Sequence, residues 1–256
     1  MRVLYFTRDY TPHDHRFLTA LAASPHDVFY LRLERRDPQR ESRPLPAGVQ
    51  QVKWAGGTQP FRWRDSLRLL RDLRRVIRDI QPDLIHAGPI QTVALLAAFS
   101  GFRPLVTMSW GYDLLMDADK GAWMRWATRA ALRRSTVVFC DNDALADKAV
   151  SFGVPRERIV QFPWGVDLAQ FTPGENPEMR ERRGWGDAVV LLHSRAWERL
   201  YGVDTVIRAF STAAQQRDDL RLLLLGTGSL AVFIRQALQR NGVDDRVQFA
   251  GQVSNE

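Results

Sequence analysis

Short apolar runs alternate with longer amphipathic stretches along the whole chain. In the first part, apolar runs predict strands at Val3–Thr7, Val28–Leu31, Val49–Val52, Leu84–His86, Leu105–Met108, Val137–Cys140 and Ile159–Phe162. Helical patterns separate several of these runs. Such alternation is typical of a sheet wound with crossover helices, and it therefore predicts an α/β domain.

The polar periodicity between these runs predicts the helices. A polar loop at Arg8–Arg16 precedes a helix from Phe17, and Asn142 is a suitable cap for a helix over Asp143–Phe152. The segment Arg64–Ile80 places five apolar residues on one stripe, namely Leu67, Leu70, Leu73, Ile77 and Ile80. Arginines surround that stripe, so this stretch predicts an amphipathic helix.

The second half repeats the same layout over fewer elements. Strands are predicted at Val189–Leu192, Leu220–Leu225 and Val247–Ala250, with helices at Val203–Gln216 and Leu230–Arg240. Three strands are few for a domain of typical size, about 100–150 residues, so the second domain is expected to be incomplete. The polar stretches Asp37–Gly48 and Gly174–Gly186 predict a loop and a connection between domains, respectively.

The composition of the chain indicates the charge of its partners and the cellular compartment in which it is expected. Lys and Arg number 36 against 29 Asp and Glu, which gives a formal net charge of +7 and favours an anionic partner. No apolar run approaches the roughly 20 residues of a membrane span, and no signal peptide is apparent. The single cysteine, Cys140, is expected to be a buried thiol, and a cytoplasmic location is expected.

Three groups of residues resemble the group 1 (family 4) glycosyltransferases. The first group consists of two short motifs at the domain boundary, Gly165-Val166-Asp167 and Phe171-Thr172-Pro173. The second is the stretch Arg195–Phe210, and the third is Leu225–Leu230. The resemblance implies a GT-B fold of two Rossmann-like domains, divided as 1–168 and 169–256, with a ligand cleft between them. It also implies sugar transfer from a nucleotide-sugar donor with retention at the anomeric carbon. No metal and no cofactor are implied, and the acceptor stays unidentified.

The second domain is expected to hold the donor. A strand-to-helix loop at Arg195 attracts phosphate by helix dipole and by positive charge. The resemblance assigns Arg195 to the donor diphosphate and gives it a catalytic role, and Tyr201 stands where the family carries a lysine. The other expected donor-binding residues are Arg199, Gly226, Thr227, Gly228 and Gln252.

The first domain is expected to line the sugar and acceptor side of the cleft. Trp110 stands where many family members carry a histidine, and its ring could either stack on a sugar or pack against other side chains. Asp113 is expected to form hydrogen bonds with sugar hydroxyls. Both residues are expected to be catalytic. The other expected cleft-lining residues are Asp9, His13, His15, His86, Gly111 and Gly165. Asp117-Ala118-Asp119 mimics a metal-binding D-x-D, but helix-terminal carboxylates are the better interpretation.

Three alternatives stay open. The arginine-rich stretches Phe61–Arg78 and Lys120–Arg134 indicate either adsorption to anionic lipid or ordinary solvated crossover helices. The chain could be a catalytically silent nucleotide- or membrane-binding protein, or a nucleic-acid-binding protein, although no nucleic-acid-binding signature is present. An acidic pair of the family is absent up to Glu256, so weak transfer and self-association through the second half are also expected.

Overall fold

The computed structural model describes residues 1–35, 41–166, 168–169, 171–174 and 176–253. The chain divides into two compact units, Met1–Val166 and Asp167–Glu256. Residues 37–40 of the predicted loop Asp37–Gly48 lie outside the described residues, as does Asp167 of the motif at the domain boundary.

The first unit contains a seven-stranded parallel sheet. Its strands are β1 (Arg2–Thr7), β2 (Asp27–Arg32), β3 (Val49–Gln51), β4 (Leu84–Gly88), β5 (Leu105–Met108), β6 (Val137–Cys140) and β7 (Ile159–Gln161). The strand order is β3-β2-β1-β4-β5-β6-β7, and every neighbouring pair is parallel. The predicted doubly wound sheet is thus confirmed for this unit.

The direction of winding reverses between β1 and β4. Tyr5 of β1 is aligned with Tyr30 of β2 on one side and with His86 of β4 on the other. Both faces of the central strands are covered, since Leu4 and Tyr5, successive residues of β1 whose side chains point to opposite faces, are both buried. In open α/β sheets, ligands bind outside the carboxyl ends of the strands at such a reversal.

Six α-helices accompany this sheet in the described part of the unit. They are α1 (Pro12–Ala22), α2 (Ser66–Ile80), α3 (Leu95–Ser100), α4 (Tyr112–Leu115), α5 (Ala122–Arg134) and α6 (Asp143–Ser151). A π-helical turn at Ile90–Ala94 leads directly into α3. The predicted cap of α6 is confirmed, because the Asn142 side chain accepts a 2.9 Å hydrogen bond from the Leu145 N–H.

Helix α1 begins five residues before the predicted start at Phe17. Thr11 and Asp14 form a capping box in which each side chain bonds to the other residue's backbone N–H. Pro12 occupies the first helical turn, where its missing N–H costs nothing. The prediction of a loop up to Arg16 was wrong because the polar residues of this stretch were not recognised as capping signals.

The second unit has a smaller parallel sheet. Strands β8 (Val189–His193), β9 (Leu220–Leu225) and β10 (Val247–Gly251) lie in the order β10-β9-β8. Helices α8 (Val203–Ala214) and α9 (Ala231–Arg240) connect them. This is the second predicted Rossmann-like unit, and it shares no strand with the first sheet.

A short helix, α7 (Pro177–Arg182), lies within the predicted connection Gly174–Gly186. The Asn176 side chain accepts a 2.9 Å hydrogen bond from the Met179 N–H, and Pro177 begins the helix. Proline is favoured at the first helical position. The connection predicted at Gly174–Gly186 therefore contains a helix that the sequence analysis did not predict.

Two composition-based expectations concern burial and membranes. Cys140 is buried, as predicted, and burial raises the pKa of its thiol to about 11. Within the described residues, no helix is both long enough and apolar enough to cross a bilayer.

Candidate functional site

A polar pocket lies at the carboxyl edge of the first sheet, where the winding reverses. Its lining residues follow β1, β2, β4 and β5, which are neighbours in the sheet: Thr7, Arg8, Asp9, Thr11, Glu34, Pro89, Trp110 and Tyr112. Its volume is about 70 Å³, enough for a few waters or one small polar group. Two predicted cleft residues, Asp9 and Trp110, therefore belong to one pocket.

Charged groups on the pocket wall are fixed in position. The Arg8 guanidinium lies 2.7 Å from the Glu34 carboxylate, which is only 1% exposed. The other Glu34 oxygen accepts a 2.8 Å hydrogen bond from the Phe61 N–H. Asp9 accepts from the Tyr10 N–H and has Arg32 at 3.9 Å. Because both carboxylates are paired, the pocket presents ordered polar groups at low conformational cost.

Asp113 does not reach this pocket as a free hydrogen-bonding group. It is 1% exposed, and its carboxylate accepts bonds from Ser109 Oγ and from the backbone N–H groups of Ile90, Trp110 and Leu114. Burial raises the pKa of Asp113 to about 6, although these four donors favour the charged form. The expectation that it bonds to sugar hydroxyls is corrected: Asp113 positions the loop that carries Trp110.

Trp110 packs against a strand end that only glycine allows. A Cβ on Gly88 would lie 2.8 Å from Trp110 Nε1 and 2.5 Å from the Met108 carbonyl oxygen. Among the described residues, the buried Trp110 Nε1–H finds no acceptor. A buried donor without a partner costs free energy, so Trp110 Nε1 is a locally unfavourable feature of this packing. Gly111 follows with φ of 87°, a left-handed conformation that suits glycine.

An aromatic cluster closes one side of the Trp110 loop. The ring of Trp164 lies 4.7 Å from that of His13 and 5.5 Å from that of Trp110. Arg16 donates to the carbonyl oxygens of Trp164 and Gly165, at 2.9 and 3.0 Å. The end of the first unit is thereby fastened to α1, and the His13 ring lies 6.1 Å from the Trp110 ring; the cleft-lining roles of His13 and Gly165 stay predictions.

Two predicted cleft-lining histidines lie elsewhere. His15 shares a 2.7 Å hydrogen bond with the Tyr10 hydroxyl, and burial and the nearby Arg43 lower its pKa. His86 lies buried within β4, with the rings of Tyr5 and Phe139 at 4.9 and 5.5 Å. The placement of His86 at the end of its strand was wrong, because β4 continues to Gly88.

His86 gives the fold a predicted pH dependence. Burial lowers the pKa of His86 from 6.5 to about 4. Between these values the unfolded chain binds a proton that the folded chain does not, so acidification disfavours folding. Relative to His86→Phe, we expect the parent to lose up to about 3 kcal/mol of unfolding free energy between pH 7 and pH 4.

Urea unfolding of the parent and His86→Phe at several pH values measures this difference. The buried carboxyls of Asp14 and Asp113 titrate in both proteins, so their contributions cancel in the comparison. A stability difference that is independent of pH would show that His86 is protonated equally in both states.

In the second unit, Trp197 fastens the loop after β8 to the turn after β9. Trp197 is buried; its Nε1–H donates to the Leu225 carbonyl at 2.8 Å, and its backbone N–H donates to the Thr227 carbonyl at 2.9 Å. Its own carbonyl accepts from the Leu230 N–H at 3.0 Å. Sequence reasoning missed this residue, although it lies within the family-like stretch Arg195–Phe210.

The glycines of the turn permit this contact. A Cβ on Gly228 would lie 2.5 Å from the Trp197 carbonyl oxygen, and one on Gly226 would lie 3.2 Å from the Arg195 carbonyl oxygen. Gly226 also has φ of 87°. The Gly226–Gly228 segment is therefore a close-packing device that brings two loops together at the carboxyl edge of the sheet.

Glu198 completes the link between the loops. Its carboxylate accepts from both the N–H and the hydroxyl of Ser229, and these bonds lower its pKa. In the described part of the chain, the N–H groups of Thr227 and Gly228 have no protein acceptor. These two N–H groups just before α9 are therefore available to a ligand acceptor, and helix N-termini favour anions.

The cations of the loop after β8 lie at the same edge of the sheet as these donors, because both segments follow the carboxyl ends of neighbouring strands. The exposed Arg195 guanidinium stacks over the Tyr201 ring, with 4.3 Å to the centroid. Tyr201 thus contacts Arg195 in a cation–π interaction of about 0.5–1 kcal/mol, the range of exposed pairs. Arg199 is exposed in the short turn Arg199–Tyr201. Gln252 follows β10 at the same edge of the sheet, and the preceding residue, Gly251, accepts a hydrogen bond from the Gly226 N–H through its carbonyl oxygen.

The D-x-D segment makes ion pairs with neighbouring side chains. Asp117 lies 2.6 Å from Lys120, and Asp119 pairs with Arg125 and Lys148. These contacts account for both carboxylates as structural surface groups. Across the described residues, no cluster of three or more His, Cys, Asp or Glu side chains is arranged to hold a metal ion.

The profile of Glycosyltransferase Family 4 matches residues 13–170, which is more than half of the chain. The chain belongs to this family. The sequence-based resemblance is therefore confirmed at the level of the family.

Two curated relatives share part of this sequence. The GDP-mannose-dependent alpha-(1-6)-phosphatidylinositol monomannoside mannosyltransferase of Mycolicibacterium smegmatis is 30% identical over 171 residues, 64% of this chain and 43% of that protein. The Alpha-D-kanosaminyltransferase of Streptomyces kanamyceticus is 26% identical over 137 residues, 52% of this chain and 35% of that protein. The matches span less than half the length of these relatives.

Solved structures agree on the fold. The crystal structure of Anabaena HepE in complex with UDP superposes with a TM-score of 0.74, at 19% identity, over 99% of this chain and 70% of that one. At this identity the likeness establishes the GT-B fold alone. The expected fold class is thus confirmed over almost the whole chain.

Proposed function

We propose that this protein contributes to glycosyl transfer from a nucleotide-sugar donor, with the second unit binding the donor diphosphate. The observation that carries the proposal is the pair of loops that Trp197 and Glu198 hold together, with Arg195 and the open Thr227 and Gly228 donors at one sheet edge. Family membership and the names of the two transferase relatives support it.

The chemistry of transfer explains why these groups suit the site. As the bond from sugar to nucleotide breaks, negative charge grows on the leaving diphosphate. A guanidinium and backbone N–H groups that are already oriented stabilise this charge without further reorganisation. The proposed reaction uses neither metal nor cofactor, with Arg195 supplying the positive charge and Arg199 adding to it.

Retention at the anomeric carbon is part of the proposal, by analogy with the family. The acceptor side is assigned to the pocket of the first unit, whose lining includes Trp110 and the paired carboxylates of Asp9 and Glu34. The acceptor itself is left open, as are the donor base and sugar.

A peripheral cytoplasmic position at an anionic membrane surface is the second part of the proposal. It is supported by the arginine-rich helices α2 and α5, which contribute to one tryptophan-lined groove in the first unit. The expected weak transfer and self-association of residues 1–256 alone stay predictions; product analysis combined with sedimentation tests both.

Thermal unfolding in the presence of different nucleotide sugars tests which donor binds. We expect one of UDP-, GDP- or ADP-sugar to raise the melting temperature, because a ligand at about 100 times its Kd adds about 2.7 kcal/mol to folding. The expected stabilisation persists in EDTA, and product analysis by NMR reads the anomeric configuration. No shift with any nucleotide sugar would contradict donor binding, and a shift without product would favour a silent nucleotide-binding protein.

A further inference from the structure

An apolar groove of about 430 Å³ lies on the first unit, formed by helices α2, α3 and α5. Its walls include Trp63, Leu67, Leu70, Phe99, Trp123 and Trp126. The volume falls within the range of small-molecule sites, about 300–1,000 Å³. None of the residues predicted to bind donor or acceptor lines this groove.

The aromatic walls are ordered by one another. The Trp63 and Trp123 rings meet edge to face at 5.5 Å, Trp123 stacks on Trp126 at 4.8 Å, and Trp126 stacks on Phe99 at 6.0 Å. Trp123 and Trp126 are nevertheless 53% and 48% exposed, and Leu67 is 71% exposed. A large apolar surface rimmed by charge marks a site of interaction.

Positive charge surrounds the groove. Arg71 and Arg74 follow Leu67 at helical spacings of four and seven residues, and Arg133 follows Trp126 by seven, so each shares a helix face with its apolar residue. Arg74 also donates to the Phe99 carbonyl at 2.9 Å, and Arg134 stacks over the Phe99 ring at 4.8 Å.

The net positive charge of helices α2 and α5 favours an anionic partner for the groove. Together α2 and α5 carry nine arginines and two aspartates, a net charge of +7, which equals the formal net charge of the whole chain. The two aspartates, Asp72 and Asp79, both pair with Arg75. The excess positive charge of the protein thus lies on two of the helices that form the groove, although Arg125 is paired with Asp119.

We propose that the groove seats one acyl chain of an anionic bilayer lipid, while arginines of α2 and α5 contact the surrounding headgroups. The pairing of an apolar slot with cationic walls matches the two chemical parts of such a lipid. This inference rests on the membrane part of the proposed function and names the residues that carry it; it does not depend on donor binding.

Vesicle binding tests the electrostatic part. The parent is expected to co-sediment with phosphatidylcholine vesicles that contain phosphatidylglycerol and to bind pure phosphatidylcholine vesicles much more weakly. Arg71→Gln and Arg133→Gln should each weaken binding about fivefold, whereas Arg156→Gln, at an exposed arginine of the same unit, should not. Equal affinity for neutral vesicles, or binding to neither, overturns the proposal.

The seat of the acyl chain is tested separately. Phosphatidylglycerol brominated on its acyl chains should quench the fluorescence of Trp123 and Trp126, and Trp123→Phe/Trp126→Phe should keep binding while losing most of this quenching. Leu67→Gln should reduce binding that persists in high salt, whereas Val150→Gln, on the exposed side of α6, should not. Unchanged quenching in the Trp123→Phe/Trp126→Phe variant overturns the assignment of the groove.

Two further results separate this proposal from others. If the lipid-free parent is a dimer that Leu67→Gln converts to a monomer, the groove is an interface between copies and the lipid assignment fails. Nucleotide-sugar stabilisation of Leu67→Gln, measured as its melting-temperature shift, should match that of the parent. If the parent binds nucleotide sugars but not vesicles, only the proposal for the groove fails. If it binds vesicles but no nucleotide sugar, only the proposal for the donor site fails.

Discussion

Replacing Arg195 with alanine should weaken nucleotide binding by roughly 1.5–3 kcal/mol, the scale of a hydrogen bond to a charged group. The Arg195 guanidinium is exposed to solvent at the carboxyl edge of the second sheet, and the Tyr201 ring holds it in place. Its loss removes the proposed cation from the donor diphosphate. Calorimetry with the nucleotide that stabilises the parent measures the change.

The matched control is Arg208→Ala. Arg208 lies on α8 of the same unit, is 66% exposed, and pairs with Asp204, so its removal changes net charge by the same amount. We expect its nucleotide affinity to stay near that of the parent. Equal losses in both variants would indicate long-range electrostatics, and unchanged affinity in Arg195→Ala would make Arg195 a surface residue without a role in binding.

The sheets could be predicted from sequence because their strands are continuous apolar runs. Strands at the centre of a parallel sheet are buried on both faces, so a run such as Val3–Thr7 contains few polar residues and is bounded by polar ones. The carboxyl-edge loops follow directly from these runs. For this reason the apolar pattern is enough to place Arg195, Trp110 and Gly228 at sheet edges.

The roles of individual side chains could not be predicted in the same way. Asp113 and His86 occur near strand ends, where polar residues often bind ligands, but tertiary packing buries both. Sequence alone does not show that four donors converge on Asp113, since one of them comes from Ile90, 23 residues away. Trp197 was missed for the same reason: its partners belong to the next strand and turn.

The groove is a clearer example of what tertiary structure adds. The two arginine-rich stretches were each compatible with a solvated crossover helix, and the predicted apolar stripe of α2 was only partly correct: Leu73 is buried, but Leu67 is exposed and Val76 is buried instead. Contact between Trp63 and Trp123, which lie 60 positions apart, joins them into one surface. Folding thus joins the two stretches into one surface with a defined apolar centre.

Replacing Gly228 with alanine should damage the second unit more than any exposed substitution in it. The added Cβ would meet the Trp197 backbone at 2.5–2.8 Å, and backbone atoms cannot move aside as a flexible side chain can. We expect the turn to separate from the Trp197 loop, with a loss of stability of about 1–3 kcal/mol or more. Thermal unfolding and nucleotide calorimetry measure the two consequences.

Gly174→Ala is the matched control, because a Cβ there meets nothing within 4 Å and its φ is not in the left-handed region. It should leave both stability and affinity nearly unchanged. Gly228→Ala should lose nucleotide affinity even at temperatures where the protein stays folded, since Thr227, Gly228 and Arg195 would no longer converge. Full affinity in a folded Gly228→Ala protein would mean that the contact between the two loops serves stability alone, and the donor site would then have to be sought elsewhere.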